Sequence, residues 1–300
     1  MIYTLTLNPA IDYVLQVQNL TVGKIHKTDT AEICFGGKGI NVSRILGELQ
    51  VPSVALGFVA GFVGEAIENG VKSDWVTPKF TKLESGMSRI NVKLRSESET
   101  DINCVGPEVT KSDIERLYES LSLLQNGDIL VLSGSAPKGV PTDIYGNIMA
   151  KLFSKGVMFI VDAEGEYLLN ALKQKPFLIK PNLEELCGLF GEVSNEQDIV
   201  ESAKKLQQMG AKNVLVSLGA EGALLLDENG KTHRVNAVSG KVVNTVGAGD
   251  SMVAGFIAGH LESSDFDYAL KLGVASGSAT AFSVGLANRE LIFKTLEKLK

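Results

Sequence analysis

The hydrophobic positions of this chain change rhythm near residue 107. Beyond it, short apolar runs alternate with longer segments whose apolar residues recur every three or four positions. The runs at 129–132, 158–161, 177–179 and 213–216 read as strands. The segments 111–124, 141–155, 166–173, 183–190 and 196–209 read as the helices between them. Strands that are apolar at successive positions are covered on both faces, so this half predicts a parallel sheet between helical layers, an α/β fold. Residues 223–226, with Gly230 and Lys231 beyond them, predict a hairpin.

Before residue 107 the pattern is less regular. Residues 2–7 predict a first strand ended by Asn8-Pro9, with Asp12 just beyond, either an ordinary loop carboxylate or a ligand group at the mouth of a sheet. Residues 14–17 and 24–33 predict short strands of mixed polarity, residues 53–62 a strand interrupted by glycine, and Val76 a further strand. In 89–95 the alternation is strict, with Ile90, Val92 and Leu94 on one side and Arg89, Asn91, Lys93 and Arg95 on the other. A strand with one cationic face lines a phosphate pocket or faces solvent, and the pattern leaves both open. Residues 97–99 predict a hairpin tip and 100–105 the return strand. The segments 12–34 and 89–105 thus predict a small β-sheet lid inserted twice into a core made of 1–11, 35–88 and 106–300.

Two glycine-rich turns each lead into a helical pattern. In Phe35-Gly36-Gly37-Lys38-Gly39-Ile40-Asn41, three glycines and a lysine precede a helix with apolar Ile40, Val42, Ile45, Leu46 and Leu49. This is not the G-x4-G-K-[ST] loop of nucleotide-triphosphate enzymes, since position 32 is Glu. In the other turn a β-branched strand, Lys241-Val242-Val243, enters Gly247-Ala248-Gly249-Asp250, and Met252, Val253, Phe256 and Ile257 leave it on one helix face. The amides of Gly247, Ala248 and Gly249 are then expected unpaired at a helix N-terminus, where they attract an anion. Asp250 there is either an N-cap or a base that takes a proton while the amides hold developing charge.

Further polar groups stand where the strands end: Ser133-Gly134-Ser135, Asp162, Lys180-Pro181-Asn182 and Ser217-Leu218-Gly219-Ala220-Glu221-Gly222. In an open α/β sheet such ends share one crevice. Asn182 followed by Glu185 is either a capping box or a site where Glu185 organises water around Mg2+. Gly219 and Gly222 predict a backbone shelf for a nucleotide.

Composition narrows this picture. A hydrophobic content of 44% over 300 residues suffices for a large core, and a net charge of −6 argues against a nucleic-acid surface. Three scattered cysteines without a CxxC fit a reducing compartment rather than a zinc site or a disulfide frame. No leader-like segment and no apolar run of about 18 residues is present, so a cytoplasmic location without a membrane span is expected. His26, His233 and His260 have no metal-like spacing and read as structural or surface residues.

Together, Gly36-Gly37-Lys38-Gly39-Ile40-Asn41 and Asn244-Thr245-Val246-Gly247-Ala248-Gly249-Asp250 resemble the two signatures of the PfkB/ribokinase sugar kinase family. Asn8-Pro9-Ala10-Ile11-Asp12, Lys180-Pro181-Asn182 and the 217–222 loop follow in the family's order, so the resemblance spans the chain. Leu5-Thr6-Leu7-Asn8-Pro9, Arg89-Ile90-Asn91-Val92-Lys93 and Ala279-Thr280-Ala281-Phe282-Ser283 are similar to its sugar-phosphate branch. One departure is Cys34-Phe35, where Pro or Ala before the glycines is more usual.

The resemblance implies a ribokinase-like three-layer α/β/α, Rossmann-like fold with a β-sheet lid. It implies ATP-dependent phosphorylation of fructose 1-phosphate at C6, or of tagatose 6-phosphate or another sugar phosphate. Asp250 would be the base, with the Gly247, Ala248 and Gly249 amides as anion hole. Asp12, Gly36, Gly37 and Asn41 would hold the sugar, and Lys38 and Arg89 its phosphate. Lys180, Asn182, Ser217, Gly219, Ala220, Glu221, Gly222 and Gly249 would serve ATP, and Glu185 would hold Mg2+ through water. A homodimer joined through the lid is the family expectation.

Overall fold

A computed structural model describes residues 1–28 and 30–299. Strand β1 (Ile2–Thr6) starts the main sheet, and β2 (Ala10–Gln16) and β3 (Ala31–Gly36) leave it for a second one. Helix α1 (Lys38–Glu48), β4 (Ser53–Val59), α2 (Gly61–Val71), β5 (Val76–Pro78) and β6 (Thr81–Lys82) return to the main sheet. Strands β7 (Arg89–Arg95) and β8 (Glu99–Ile102) complete the second. The chain then runs α3 (Lys111–Leu121), β9 (Ile129–Ser133), α4 (Ile144–Leu152), β10 (Met158–Asp162), α5 (Gly165–Leu172) and β11 (Leu178–Ile179). It continues through α6 (Leu183–Phe190), α7 (Glu196–Gln208), β12 (Asn213–Ser217), β13 (Ala223–Leu226) and β14 (Thr232–Val235). Helices α8 (Ala248–Ser263), α9 (Phe266–Ala281) and α10 (Arg289–Leu296) finish it.

The main sheet has the order β14-β13-β12-β11-β10-β9-β1-β4-β5, with β6 also pairing β4. It is parallel from β12 to β5, and only the β13 and β14 hairpin is antiparallel. The apolar runs explain its two-sided packing. In β9, Leu130 and Leu132 join the cluster under α3, α4, α5, α6 and α7, while Ile129 and Val131 join the opposite cluster under α1, α8, α9 and α10. The same division separates Val214 and Val216 from Leu215 in β12. Each such buried side chain contributes roughly 1.5–3 kcal/mol over exposure, which sets the sheet's two faces in register with its helices.

The second sheet has the order β3-β2-β7-β8, with β2 parallel to β7 and its other pairs antiparallel. Helix α2 packs between it and the main-sheet edge, placing Val63, Ile67 and Val71 in one cluster with Ile11 of β2 and with Val59 and Val76. A Cβ on Gly70 of α2 would lie 2.0 Å from the Phe35 ring, so a bare backbone there lets the helix approach β3.

Several expectations fail locally. Residues 24–28 form no strand: Ile25 is 96% exposed and nothing packs against it, and strand pairing starts only at Ala31. Position 29, inside that expected strand, lies outside the described residues. Lys241-Val242-Val243 is not a strand either; Val243 donates a single backbone hydrogen bond to Ala281, and both valines are exposed. Helices α2, α9 and α10 were not legible in the apolar pattern. In α2 and α9 glycine lowers intrinsic helix propensity, and close packing overrides it.

Candidate active site

The parallel strands end on one side, where the N-termini of α1 and α8 meet them. Both helices start on a glycine with positive φ, Gly37 at 126° and Gly247 at 81°, and neither start is capped by a side chain. The Thr6 hydroxyl at the end of β1 accepts from the Ile40 amide at 3.0 Å, fixing α1 on the sheet. Between these ends lies a crevice of about 500 Å3. Among the described residues, five buried side-chain N or O atoms lack a hydrogen-bond partner, and four of them (on Asn8, Arg89, Ser133 and Asp162) belong to residues that line this crevice. Buried polar atoms are nearly always paired, so this concentration marks a site shaped for a polar ligand.

Asp250 is the third residue of α8, with Gly247 as the N-cap, so the capping alternative does not hold for it. It is only 6% exposed, lines the crevice, and its Oδ2 accepts from Asn41 Nδ2 at 2.8 Å. Burial, and then the negative charge of Asp162, push its pKa up to about 6, against the Asn41 donor and the ammonium groups of Lys38 and Lys180. A carboxylate tuned this way serves as a base near neutral pH. Of the three amides expected free, Ala248 N–H donates to Thr245 O at 3.2 Å, because the turn closes on itself. Gly247 and Gly249 line the crevice.

Lys38 and Lys180 converge on one carboxylate oxygen, Asp162 Oδ1, Lys38 donating a hydrogen bond at 3.2 Å and Lys180 forming an ion pair at 3.4 Å. Burial disfavours the Lys38 ammonium, yet Asp162 and Asp250 together hold its pKa above the ordinary value. Lys38, expected beside Arg89, therefore points toward Lys180 and the end of β10. Arg89 donates from Nη2 to the Asn8 carbonyl at 3.1 Å on the other side of the crevice.

Asp12 and Asn41 line both this crevice and a second cavity of about 390 Å3 beneath the second sheet. Gly36 faces that second cavity rather than the crevice, and a Cβ there would stand 2.9 Å from Asp12 Oδ2. The cationic face of β7 divides in the same way. Lys93 and Arg95 line the second cavity and pair with Asp101 at 2.9 and 3.1 Å, leaving Arg89 to the crevice.

Asn182 and Glu185 form the capping box, each accepting from the other's backbone N–H, at 2.7 and 2.9 Å. Both still line the crevice with Lys180 and Ser217. Gly219, Ala220 and Glu221 form a 3-10 turn past β12, outside the crevice lining. Gly222 follows with φ 93°, and a Cβ there would lie 2.1 Å from the Val235 carbonyl, so packing against β14 requires glycine.

Two residues with a direct part in this geometry carried no site assignment from the sequence. Asn91 donates to Asp12 Oδ1 at 2.7 Å, and its signal was its place beside Arg89 on the cationic face of 89–95. Asp162 was visible only as the polar end of a strand. Cys34, Cys104 and Cys187 are all free thiols.

A family model described as pfkB family carbohydrate kinase matches residues 5–291. The chain is 43% identical over 301 aligned residues to a 1-phosphofructokinase of Bacillus subtilis, covering 100% of this chain and 99% of that one. It is 35% identical to a D-tagatose-1-phosphate kinase of Bacillus licheniformis, covering 100% and 99%. A solved structure of phosphofructokinase-2 from Escherichia coli in complex with substrates and products superposes with a TM-score of 0.93 at 29% identity, covering 99% of each chain.

Proposed function

The chain belongs to the PfkB family of carbohydrate kinases, with its ribokinase-like fold, and on that premise we propose that it transfers the γ-phosphoryl group of ATP to the C6 hydroxyl of D-fructose 1-phosphate. The observation that carries this reading is the placement of Asp250. It is a buried carboxylate at an uncapped helix start, in one crevice with Asp12, Arg89 and two lysines.

In the proposed step Asp250 accepts the proton of the C6 hydroxyl as that oxygen bonds to the γ-phosphorus and the bond to the β-phosphate oxygen breaks. The Gly247 and Gly249 amides and the positive end of α8 hold the charge spread over the moving phosphoryl, with Ala248 shaping the turn. Lys38 and Lys180 flank that phosphoryl. Asp12, Asn41 and the backbone of Gly36 and Gly37 hold the sugar hydroxyls, and Arg89 takes the phosphate already on the sugar. Asn182, Ser217 and the turn from Gly219 through Ala220 and Glu221 to Gly222 form the shelf for the rest of ATP.

Among the described residues, no three His, Cys, Asp or Glu side chains gather as a metal cage. This donor set fits Mg2+ carried mainly by triphosphate oxygens and water. Glu185, with one oxygen committed to the cap, would hold the ion through water, and the ion would neutralise charge on the β- and γ-phosphates. The segments 12–34 and 89–105 act as a lid that excludes water so that transfer outpaces ATP hydrolysis. Exposed Ile33, Ile102 and Val105 support a homodimer joined through this sheet, and light scattering at twice the monomer mass tests it.

The relative named D-tagatose-1-phosphate kinase supports a second reading, a ketohexose 1-phosphate differing at C4. A coupled assay with ATP and fructose 1-phosphate, tagatose 1-phosphate, tagatose 6-phosphate, fructose 6-phosphate and ribose decides. The first acceptor is expected to give the highest kcat/KM, and no turnover with any of these acceptors would end the kinase reading.

A further inference from the structure

We propose that Asp162 is a positioning residue, an anionic placeholder that holds the ammonium groups of Lys38 and Lys180 side by side where the transferring phosphoryl arrives. This rests on the kinase reading above. The two lysines come from separate elements, one opening α1 and the other following β11. Two such cations repel one another, and each side chain has several rotatable bonds. One oxygen, Asp162 Oδ1, takes both, at 3.2 and 3.4 Å.

The carboxylate itself is fixed. Asp162 ends β10, pairs in register with Ser133 of β9, and accepts the Gly134 amide on its carbonyl at 3.0 Å. It is 1% exposed, and its Oδ2 is buried without a partner on the crevice wall. An isolated buried carboxylate is costly, and the two lysines on Oδ1 offset that cost. A phosphoryl group brings more negative charge and more acceptor oxygens than one carboxylate. The lysines can therefore turn from Asp162 to the phosphoryl with little displacement, already gathered. The same charge also faces Asp250 and raises its affinity for a proton.

Asp162→Asn keeps the shape and removes the charge. Relative to wild type, kcat is expected to fall between tenfold and a thousandfold, with KM for the sugar phosphate within threefold. The acidic limb of the pH profile is expected to move to lower pH, because Asp250 loses its negative neighbour. Asp162→Glu is expected to recover part of kcat. Calorimetry with inorganic tripolyphosphate needs neither sugar nor turnover, so it tests the placement even if no sugar phosphate proves to be a substrate. Its affinity is expected to fall at least tenfold in Lys38→Met and in Lys180→Met, and to stay equal or tighten in Asp162→Asn. Four outcomes overturn the proposal: wild-type kcat and pH profile in Asp162→Asn, weakened tripolyphosphate binding in that variant, recovery of its kcat by excess Mg2+, or a kcat loss that only tracks its unfolded fraction by circular dichroism.

Discussion

Asn41 and Asp250 stand 209 residues apart in the chain and meet through a hydrogen bond of 2.8 Å from the asparagine amide to the aspartate Oδ2. The bond joins the first turn of α1 to the first turn of α8, so the two glycine-started helices share their functional side chains directly. Replacing Asp250 by Asn keeps the volume and removes the base. Turnover is expected to fall by about 10²–10⁴, the usual contribution of a positioned base, while ATP affinity by calorimetry stays within threefold. Unchanged turnover would remove Asp250 from the mechanism.

The base must be ionised to act, so kcat/KM should fall as pH drops through about 6, where Asp250 takes up its proton. The Asn41 donor stabilises the ionised form. Asn41→Ala should therefore move this limb to higher pH, opposite to the shift expected for Asp162→Asn. A stopped assay from pH 5 to 8 reads both, and shifts of the same sign would contradict the electrostatic account.

Asp250 should also lower stability. Its pKa rises from 3.8 unfolded to about 6 folded, so the folded chain favours the protonated form. That preference stabilises the fold fully below pH 3.8 and is lost as pH rises through 6, leaving a cost of about 2–3 kcal/mol above it. Asp250→Asn should therefore be the more stable protein in urea at pH 8, with a clearly smaller advantage at pH 5. A variant less stable than wild type at pH 8 would show that other contacts of the carboxylate outweigh its burial.

At Gly36 a methyl group would stand 2.9 Å from Asp12 Oδ2. Gly36→Ala should push that carboxylate aside and raise KM for the sugar phosphate about tenfold or more, since small misplacements of binding groups are costly. KM for ATP should not change. Steady-state kinetics with each substrate varied in turn separates the two, and equal rises would point to a general distortion.

Arg89 is the cation of β7 left to the crevice, while Lys93 and Arg95 are engaged by Asp101. Arg89→Ala should raise KM for the sugar phosphate far more than for ATP, on the order of 10²-fold for a lost charge-assisted pair. Lys93→Ala should change it by less than threefold. An equal effect of the two substitutions would place the sugar's phosphate under the second sheet.

What could be read from the chain and what could not differ in physical kind. Strands β9, β10 and β12 were legible because each face meets its own helical layer and the runs 129–132, 158–161 and 214–216 are apolar throughout. The two glycine turns were legible because few backbones other than a ligand cradle need so many glycines together. Helix α9 was hidden because its contact with α8 is made by small residues. A Cβ on Gly255 would lie 2.5 Å from the Leu272 carbonyl, so backbone approach replaces the apolar stripe that marks an ordinary helix. Asp162 was hidden because its importance lies in Lys38 and Lys180, distant in sequence and joined to it only in space. The shared role of Glu185, both cap and crevice wall, shows why a local motif did not decide between two readings.

Asp12 belongs to β2, whose ladder partners are β3 and β7 and none of the main-sheet strands, whereas Asp250 belongs to α8. On the proposed function, the grip on the acceptor and the proton-accepting group thus belong to different parts of the fold, and Leu7-Asn8-Pro9 is one of the segments that pass between the two sheets. If the smaller sheet closes as the proposed lid, it would carry the Asp12 carboxylate with it, and capture of the acceptor and closure over it would be one mechanical event. Stiffening or loosening that connector would then change affinity and turnover together.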